Sequence, residues 1–353
     1  SAGRAGSVAD GFARVAAVAD RKLAGLNPYT LKPGECEQLV RSLIANYTAR
    51  GPDGTSPADS RGVLLVHTGF LLRAVPGELL ERFGEKARLM ILSFLATQDL
   101  ARAKLLVWSD LDPADGAGLL RRVVDPLASR RPELLRAVEL RILDTEFDHL
   151  PTSSGPRLRR LFDETNDTAK QADLLRVVVL SSYGGMWVDG DMVLVQSLRP
   201  LMGHDWAYVG QPNMINNAAM SVSGPHSAFM ATYIKVLLDV SNAANSSEHS
   251  AYGPDLLYLM YNSTRTRGAF HLLPPCFFDG GWLNEDGSTE WGTFFDTPIT
   301  SSWVPRVEYL FPRNARNDTF AYHWHGRWEY NITPNSMADA LAKIYRFNLG
   351  FGQ

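Results

Sequence analysis

The chain has 353 residues, 45% of them hydrophobic, 21% charged and 10% aromatic, with a formal net charge of −3. That is globular composition, which excludes disordered, collagen-like and coiled-coil readings, and the length excludes small disulfide scaffolds. The charge leaves no electrostatic footprint for nucleic acid, and the longest apolar run, Leu89–Ala96, is far short of the roughly 20 residues of a membrane span.

In chain order, Ala and Val recur at helical spacing from Arg4 to Leu26, and a second helical pattern spans Glu37–Tyr47. With the turn-rich stretch Gly51–Arg61 they predict a helical stem and linker over residues 1–60, ahead of a catalytic domain over 61–353. Short Val-, Leu- and Ile-rich runs then alternate with helices: strand Val63–Val66, helices Pro76–Phe83 and Lys86–Leu100, strand Leu105–Trp108, helix Pro113–Leu127, strand Val138–Leu143. Alternation of this kind predicts an α/β, Rossmann-type domain with a mainly parallel sheet flanked by helices. Such sheets bind ligands at the carboxyl ends of their strands. His67 and Thr68 after the first strand, Asp110 after the second and Asp144 after the third are therefore positions for chemistry. Trp108 is either a base-stacking ring or, the better reading, a core residue. Arg157, Arg159 and Arg160 read as a solvated helix face, and further helices are expected near His226–Val240 and Asp255–Tyr261.

Six Asn-X-Ser/Thr sequons, at Asn46, Asn166, Asn245, Asn262, Asn317 and Asn331, exceed the roughly two that chance would give. They predict a lumenal or secreted protein. Cys36 and Cys276 are compatible with one disulfide in an oxidising compartment or with two separate buried thiols. The chain opens Ser-Ala-Gly without a leader or anchor, and the expectation is a lumenal domain of a longer type II membrane precursor in the Golgi.

Thr168–Pro200 carries the most chemical information. Thr168 with Gln171 predicts a capping box, an apolar helix runs to about Tyr183, and Gly184 in the left-handed conformation ends it. A buried strand, Met186–Val188, then delivers Asp189-Gly190-Asp191, and a second apolar run covers Met192–Val195. Two carboxylates around a glycine repel unless a cation sits between them. Mg²⁺ or Mn²⁺ answers this, combining protein carboxylates with substrate phosphate oxygens. Gly190 is expected to let the substrate approach the backbone. Asp173 and Arg176 share a face of the preceding apolar helix, either as a surface ion pair or as ligand contacts.

The run Ala172-Asp173-Leu174-Leu175-Arg176, then Gly184-Gly185-Met186-Trp187-Val188-Asp189-Gly190-Asp191, resembles the DxD glycosyltransferases of family 32 and their relatives. Their pattern is roughly S-D-x-x-R, then G-G-x-Y-x-D-x-D; here Ala172 and Trp187 replace Ser and Tyr, and Gly-Gly-x-Trp-Val-Asp is similar to the related capsular-polysaccharide enzymes. Weaker resemblances follow in the family's order: Asn217 before Gly224-Pro225-His226, Gly253-Pro254, and His323-Trp324-His325-Gly326-Arg327-Trp328. The resemblance implies a GT-A-like fold, a UDP- or GDP-sugar donor, a glycan or glycoconjugate acceptor, and retention of anomeric configuration. It implies that Asp191 binds the metal and Asp189 contacts metal and ribose. Asp173 and Arg176 would hold the donor sugar, and Arg176 would neutralise charge on the departing diphosphate. His323 or His325 would approach the metal, with His67, Thr68, Gly184, Gly185, Asn217 and Gly253 lining the donor site.

Two other readings of the residues remain open. Met186–Val193 also fits the nucleophile motif of haloacid-dehalogenase-type phosphatases, although only Lys235 and Lys343 follow as candidate partners. A catalytically inactive glycan-binding protein of the same fold is the non-enzyme reading. An EF-hand-like calcium loop is excluded, because the twelfth positions counted from Asp189 and Asp110 are Pro200 and Arg121 rather than Glu. Asp110 and Asp112 precede Pro113, where N-capping explains them.

Overall fold

In the computed structural model the apolar runs pair into a seven-stranded sheet. The structure describes residues 13, 17, 33–49, 62–71, 77–110, 130–143, 146–210, 214–243, 250–263, 265–266, 268–279, 294–295, 319–326 and 328–351. The strands of the large sheet are β1 (Leu64–Phe70), β2 (Ala103–Ser109), β3 (Val138–Ile142), β4 (Gly185–Val188), β6 (Trp206–Val209), β7 (Ile215–Val222) and β8 (His271–Leu273), in the order β3-β2-β1-β4-β7-β6-β8. Only β7 runs against its neighbours; the other pairings are parallel. Two further strands, β5 (Met192–Leu194) and β9 (Ala321–His323), form a separate antiparallel pair.

Period-two alternation places opposite sides of each strand in different cores. Leu105, Val107, Met186 and Val188 enter one core, and Leu106, Trp108 and Trp187 enter the other. The first core includes residues of α1 (Pro33–Thr48), α2 (Gly77–Thr97) and α7 (Met337–Asn348); the second includes residues of α3 (Gly155–Glu164), α4 (Thr168–Tyr183), α5 (Ala228–Ala243) and α6 (Pro254–Asn262). Helix α4 is buried on almost every side from Asp173 to Ser181, a stretch whose Leu174, Leu175 and Val177–Leu180 are apolar.

Several sequence expectations change in detail. Pro76–Phe83 and Lys86–Leu100 are one helix, α2, continuous through Gly84, since a single helical glycine costs only about 1 kcal/mol against the packing of the following turns. Strand β1 extends to Phe70, so His67 and Thr68 lie within it and not beyond its end. Asp167, not Thr168, caps α4: its carboxylate accepts from the amides of Ala169 and Lys170, while Gln171 Nε2 reaches back to the carbonyls of Phe162 and Thr165. Gly184 ends α4 at φ 70°, ψ −163°, a glycine-only region distinct from the left-handed helix. Glu37–Tyr47 lies inside α1, whose Val40 and Leu43 join the first core. Of Arg4–Leu26 only Ala13 and Ala17 are described, both helical; Gly51–Arg61 and Pro113–Leu127 lie outside the described residues, as does Asp144. Cys276, fully buried in the turn Pro275–Phe277, is disulfide-bonded. The chain's other cysteine is Cys36, and α1 packs on that turn.

Candidate functional site

The site is assembled from three crossings of the chain. Helix α4 carries Asp173 and Arg176. Strand β4 ends at Val188 and releases Asp189, whose backbone N–H donates to the Ala218 carbonyl of β7 at 2.7 Å. The β5–β9 pairing sets Met192 opposite His323, so a C-terminal strand lies alongside the residue that follows Asp191.

Arg176 joins the two halves of the acidic group. Its Nη1 donates to Asp173 Oδ1 and its Nη2 to Asp189 Oδ1, each at 2.7 Å. The guanidinium lies 5.6 Å from the Trp187 ring centre, and Trp187 Nε1 donates to the same Asp189 oxygen. Only 3% of the Arg176 side chain is exposed. Each terminal nitrogen thus gives one of its two N–H groups to a carboxylate, and Nε has no hydrogen-bond partner among the described residues. Asp173 also accepts from Asn217 Nδ2 at 2.8 Å. Burial pushes the Asp173 carboxyl up to about 7, opposed by Arg176 and by the Asn217 hydrogen bond. Burial likewise raises Asp189, again against Arg176.

Asp191 faces the other side. Gly326 N–H donates to its Oδ2 at 2.7 Å, and His323 Nε2 lies 3.3 Å from the same oxygen. Its Oδ1 is buried without a hydrogen-bond partner among the described residues. Burial alone would raise this carboxyl, but the His323 beside it holds it down to about 2. Reciprocally, burial disfavours protonated His323 while Asp191 outweighs that and lifts it to about 10. His325 and Gly326 both take positive φ, 54° and 66°. That turn stacks the His325 ring on His323 at 3.7 Å between centres and aims the Gly326 amide at Asp191.

Asp279, which the sequence reading missed, completes the group. It is fully buried, and its Oδ1 lies 2.8 Å from His325 Nε2. Its only local signal, an Asp before Gly280-Gly281, is that of an ordinary turn. Ligand atoms of Asp279, His323 and His325 lie within 4.8 Å of one another. Four carboxylates, of Asp173, Asp189, Asp191 and Asp279, thus surround one guanidinium and two imidazoles. Two carboxylate oxygens, Asp191 Oδ1 and Asp279 Oδ2, have no hydrogen-bond partner among the described residues. This excess of buried oxygen donors fits a divalent cation.

Other predicted residues serve the scaffold. His67 is fully buried, with Nε2 2.9 Å from the Gly184 carbonyl and Nδ1 accepting from Trp108 Nε1 at 3.1 Å. These partners define the neutral Nε2–H tautomer, and burial lowers the ring to about 4. Neither nitrogen is left for a nucleotide, and Trp108 is a core residue. Thr68 is also fully buried, its hydroxyl without a hydrogen-bond partner among the described residues. Gly185 has φ 87° and backs onto Leu65, where a β-carbon would come within 2.5 Å of the carbonyl oxygen; a β-carbon on Gly184 would come within 2.8 Å of the Gly224 backbone. Gly190 does not open the backbone to a ligand: the Phe70 ring lies where its β-carbon would be, at 2.3 Å. Gly253, in contrast, does join the site, against Asp173 and Asn217. Of the basic cluster, Arg159 pairs with Asp163 and Arg160 with Glu164 on the exposed face of α3.

Residues 89–208, about a third of the chain, match the family model described as the glycosyltransferase sugar-binding region containing the DXD motif. Over that segment the chain is similar to DXD glycosyltransferases. The matched segment holds Asp173, Arg176, Asp189 and Asp191, and stops before Asn217, Gly253, Asp279 and the two histidines. Solved structures with some likeness include the PaToxG glycosyltransferase, at 12% identity and TM-score 0.41 over 71% of this chain and 79% of that one. Mouse xyloside xylosyltransferase 1 in its apo form shows 13% identity and TM-score 0.41 over 77% of this chain and all of that one. The bifunctional glycosyltransferase WbbM shows 13% identity and TM-score 0.43 over 84% of this chain and half of that one. No curated protein matches the chain.

Proposed function

We propose that the protein is a glycosyltransferase that moves a sugar from a nucleotide-diphosphate donor to a glycan or glycoconjugate acceptor, using a divalent cation and retaining anomeric configuration. The observation that carries the reading is the pair of buried oxygens on Asp191 and Asp279 beside His323 that have no hydrogen-bond partner among the described residues, within a group of four carboxylates. A cation bound there supplies Lewis-acid stabilisation of charge on a departing diphosphate. Asp191 would hold it, joined by His323 once the cation displaces the proton of the imidazolium, with Gly326 fixing the Asp191 rotamer. Arg176 and Trp187 keep Asp189 oriented towards the cation and ribose, and Asp173, Asn217 and Gly253 form the wall facing the donor sugar.

Retention without a covalent intermediate is favoured because Asp173 and Asp189 are both tied to Arg176, and Asp191 and Asp279 are engaged with the histidines. The phosphatase reading loses support because Lys343 pairs with Asp339 on α7 and Lys235 lines a surface cleft with Arg157 and Asp239. We place the protein in the secretory pathway, in the Golgi lumen behind a membrane anchor; the sequons and the disulfide at Cys276 support this.

The test is nucleotide release from a panel of UDP- and GDP-sugars with Mn²⁺ or Mg²⁺, followed by anomer analysis of the product. Release from one donor that is lost in Asp191→Ala is expected. Absence of both release and thermal stabilisation with every donor would sink the reading, and an inverted product would sink its stereochemical part.

A further inference from the structure

We propose that the cleft between α3 and α5 binds an acidic saccharide, one carrying a sulfate or carboxylate group, at the end of the sheet opposite the DXD turn. It is a second site, independent of the donor chemistry above. Helix α4 separates the two: Asp173 lies near its start and Ser181 near its end, about 12 Å further along the axis. At that far end the Ser181 carbonyl accepts from the His226 backbone N–H at 2.8 Å. Strand β7 agrees, because its Val222 pairs with Gly185 at the start of β4, whereas the DXD turn follows the end of β4.

The arginines that read as one solvated face divide in the structure. Arg159 and Arg160 pair with Asp163 and Glu164 four residues on, whereas Arg157 has Leu161 at that spacing and donates from Nη2 to the Leu238 carbonyl of α5 at 3.4 Å. Arg157 borders a cleft of about 390 Å³, within the range of small-ligand pockets. Lys235 of α5 and His226 of the turn before it line the same cleft. Neither Arg157 nor Lys235 is in an ion pair with a carboxylate among the described residues. His226 holds φ 53°, a conformation that costs energy outside glycine. Ser154 Oγ donates to the Pro151 carbonyl and does not cap α3, so no side chain occupies a helix N-terminus of the kind that binds oxyanions.

The rest of the lining selects the ligand class. Buried Ile234 and Leu238 give the cleft an apolar floor, and Ser153 and Asp239 stand with the cations on its rim. Asp239 repels a bare dianion and accepts from hydroxyls. A singly charged sugar meets all of these groups: its sulfate or carboxylate takes charge-assisted hydrogen bonds from Arg157 and Lys235, its hydroxyls reach Asp239 and Ser153, and its C–H face covers the floor.

The experiment is isothermal titration of the full chain with a singly sulfated disaccharide, its unsulfated form and inorganic sulfate. We expect saturable binding of the sulfated sugar, about tenfold or greater weakening for the other two, and about tenfold loss in Arg157→Gln and in Lys235→Gln. Both substitutions alter exposed side chains, and circular dichroism checks their folding. Arg160→Gln, on the outer face of α3, and Asp191→Ala, at the DXD turn, should keep wild-type affinity. Equal loss in Arg160→Gln would reduce the effect to diffuse surface charge, and loss in Asp191→Ala would move the ligand to the DXD turn; either overturns the proposal. So does wild-type affinity in both cleft variants. In the wild type alone, equal binding of the unsulfated sugar or of inorganic sulfate would overturn the acidic-saccharide assignment. Binding is read without turnover, so a donor screen that fails would count against the proposed function and not against the cleft.

Discussion

Gly253 and Asp173 lie so close that a β-carbon on the glycine would fall 2.5 Å from both carboxylate oxygens. Gly253 precedes α6 with φ −120°, so backbone conformation does not demand a glycine; the approach to Asp173 does. Gly253→Ala should therefore displace Asp173 from Arg176 and Asn217, costing about 1–3 kcal/mol by overpacking and at least tenfold in donor turnover. Thermal unfolding and nucleotide release check this. Unchanged turnover would show that the contact is slack.

Removing the strut between the two carboxylates should be more damaging. Arg176→Met leaves Asp173 and Asp189 buried without their cation, a loss of about 3–5 kcal/mol. Arg176→Lys should recover only part of it, because an ammonium cannot span both carboxylates as the planar fork does. Denaturant unfolding of the three proteins orders them, and Lys matching wild type would contradict the two-carboxylate geometry.

Gly190 tests a different contact. The Phe70 ring occupies the position of its missing β-carbon, so Gly190→Ala should destabilise the protein, and Phe70→Leu in the same chain should relieve part of the cost. A double-mutant cycle on unfolding free energy would show coupling of about 0.5–3 kcal/mol. Strict additivity would mean that the glycine serves a ligand and not the ring.

His67 predicts a pH dependence. Its folded value of about 4 lies below the ordinary 6.5, so the unfolded chain binds the extra proton. Stability from this group is complete above about pH 6.5 and is lost as pH falls from there towards 4, by up to about 1.4 kcal/mol per pH unit. Wild type should lose stability more steeply than His67→Gln across that window. Equal slopes would place the ring in water.

Sequon use should follow exposure. Asn166, between α3 and α4, Asn262, the last residue of α6, and Asn331 are exposed. The Asn46 amide nitrogen in α1 is buried. Protein secreted from eukaryotic cells should carry glycans at the first three and not at Asn46, read by peptide mass spectrometry after enzymatic deglycosylation. A glycan at Asn46 in folded protein would contradict the packing of α1.

Much of this was legible locally. Short apolar runs announced β1 to β4, whereas the sequence left Asp173 and Arg176 as either a surface ion pair or ligand contacts, and the structure buries both. Boundaries failed where packing overrode local signals, as at Gly84 inside α2. At Asp167-Thr168 two adjacent capping residues competed, and the aspartate won.

Asp173, Arg176, Asp189 and Asp191 sit within one strand-and-helix segment, and their residue types and spacing alone identify an acidic, cation-seeking site on an α/β sheet. Which groups close that site was decided only in three dimensions. Antiparallel pairing of β4 with β7 brings Asn217 to Asp173, pairing of β5 with β9 brings His323 to Asp191, and the buried turn after Cys276 brings Asp279 to both histidines. Each contact spans dozens of residues, and no local periodicity encodes it. Burial then turned apparent ligands such as His67 and Gly190 into scaffold, because a fully packed ring or backbone has no donor or space left to offer.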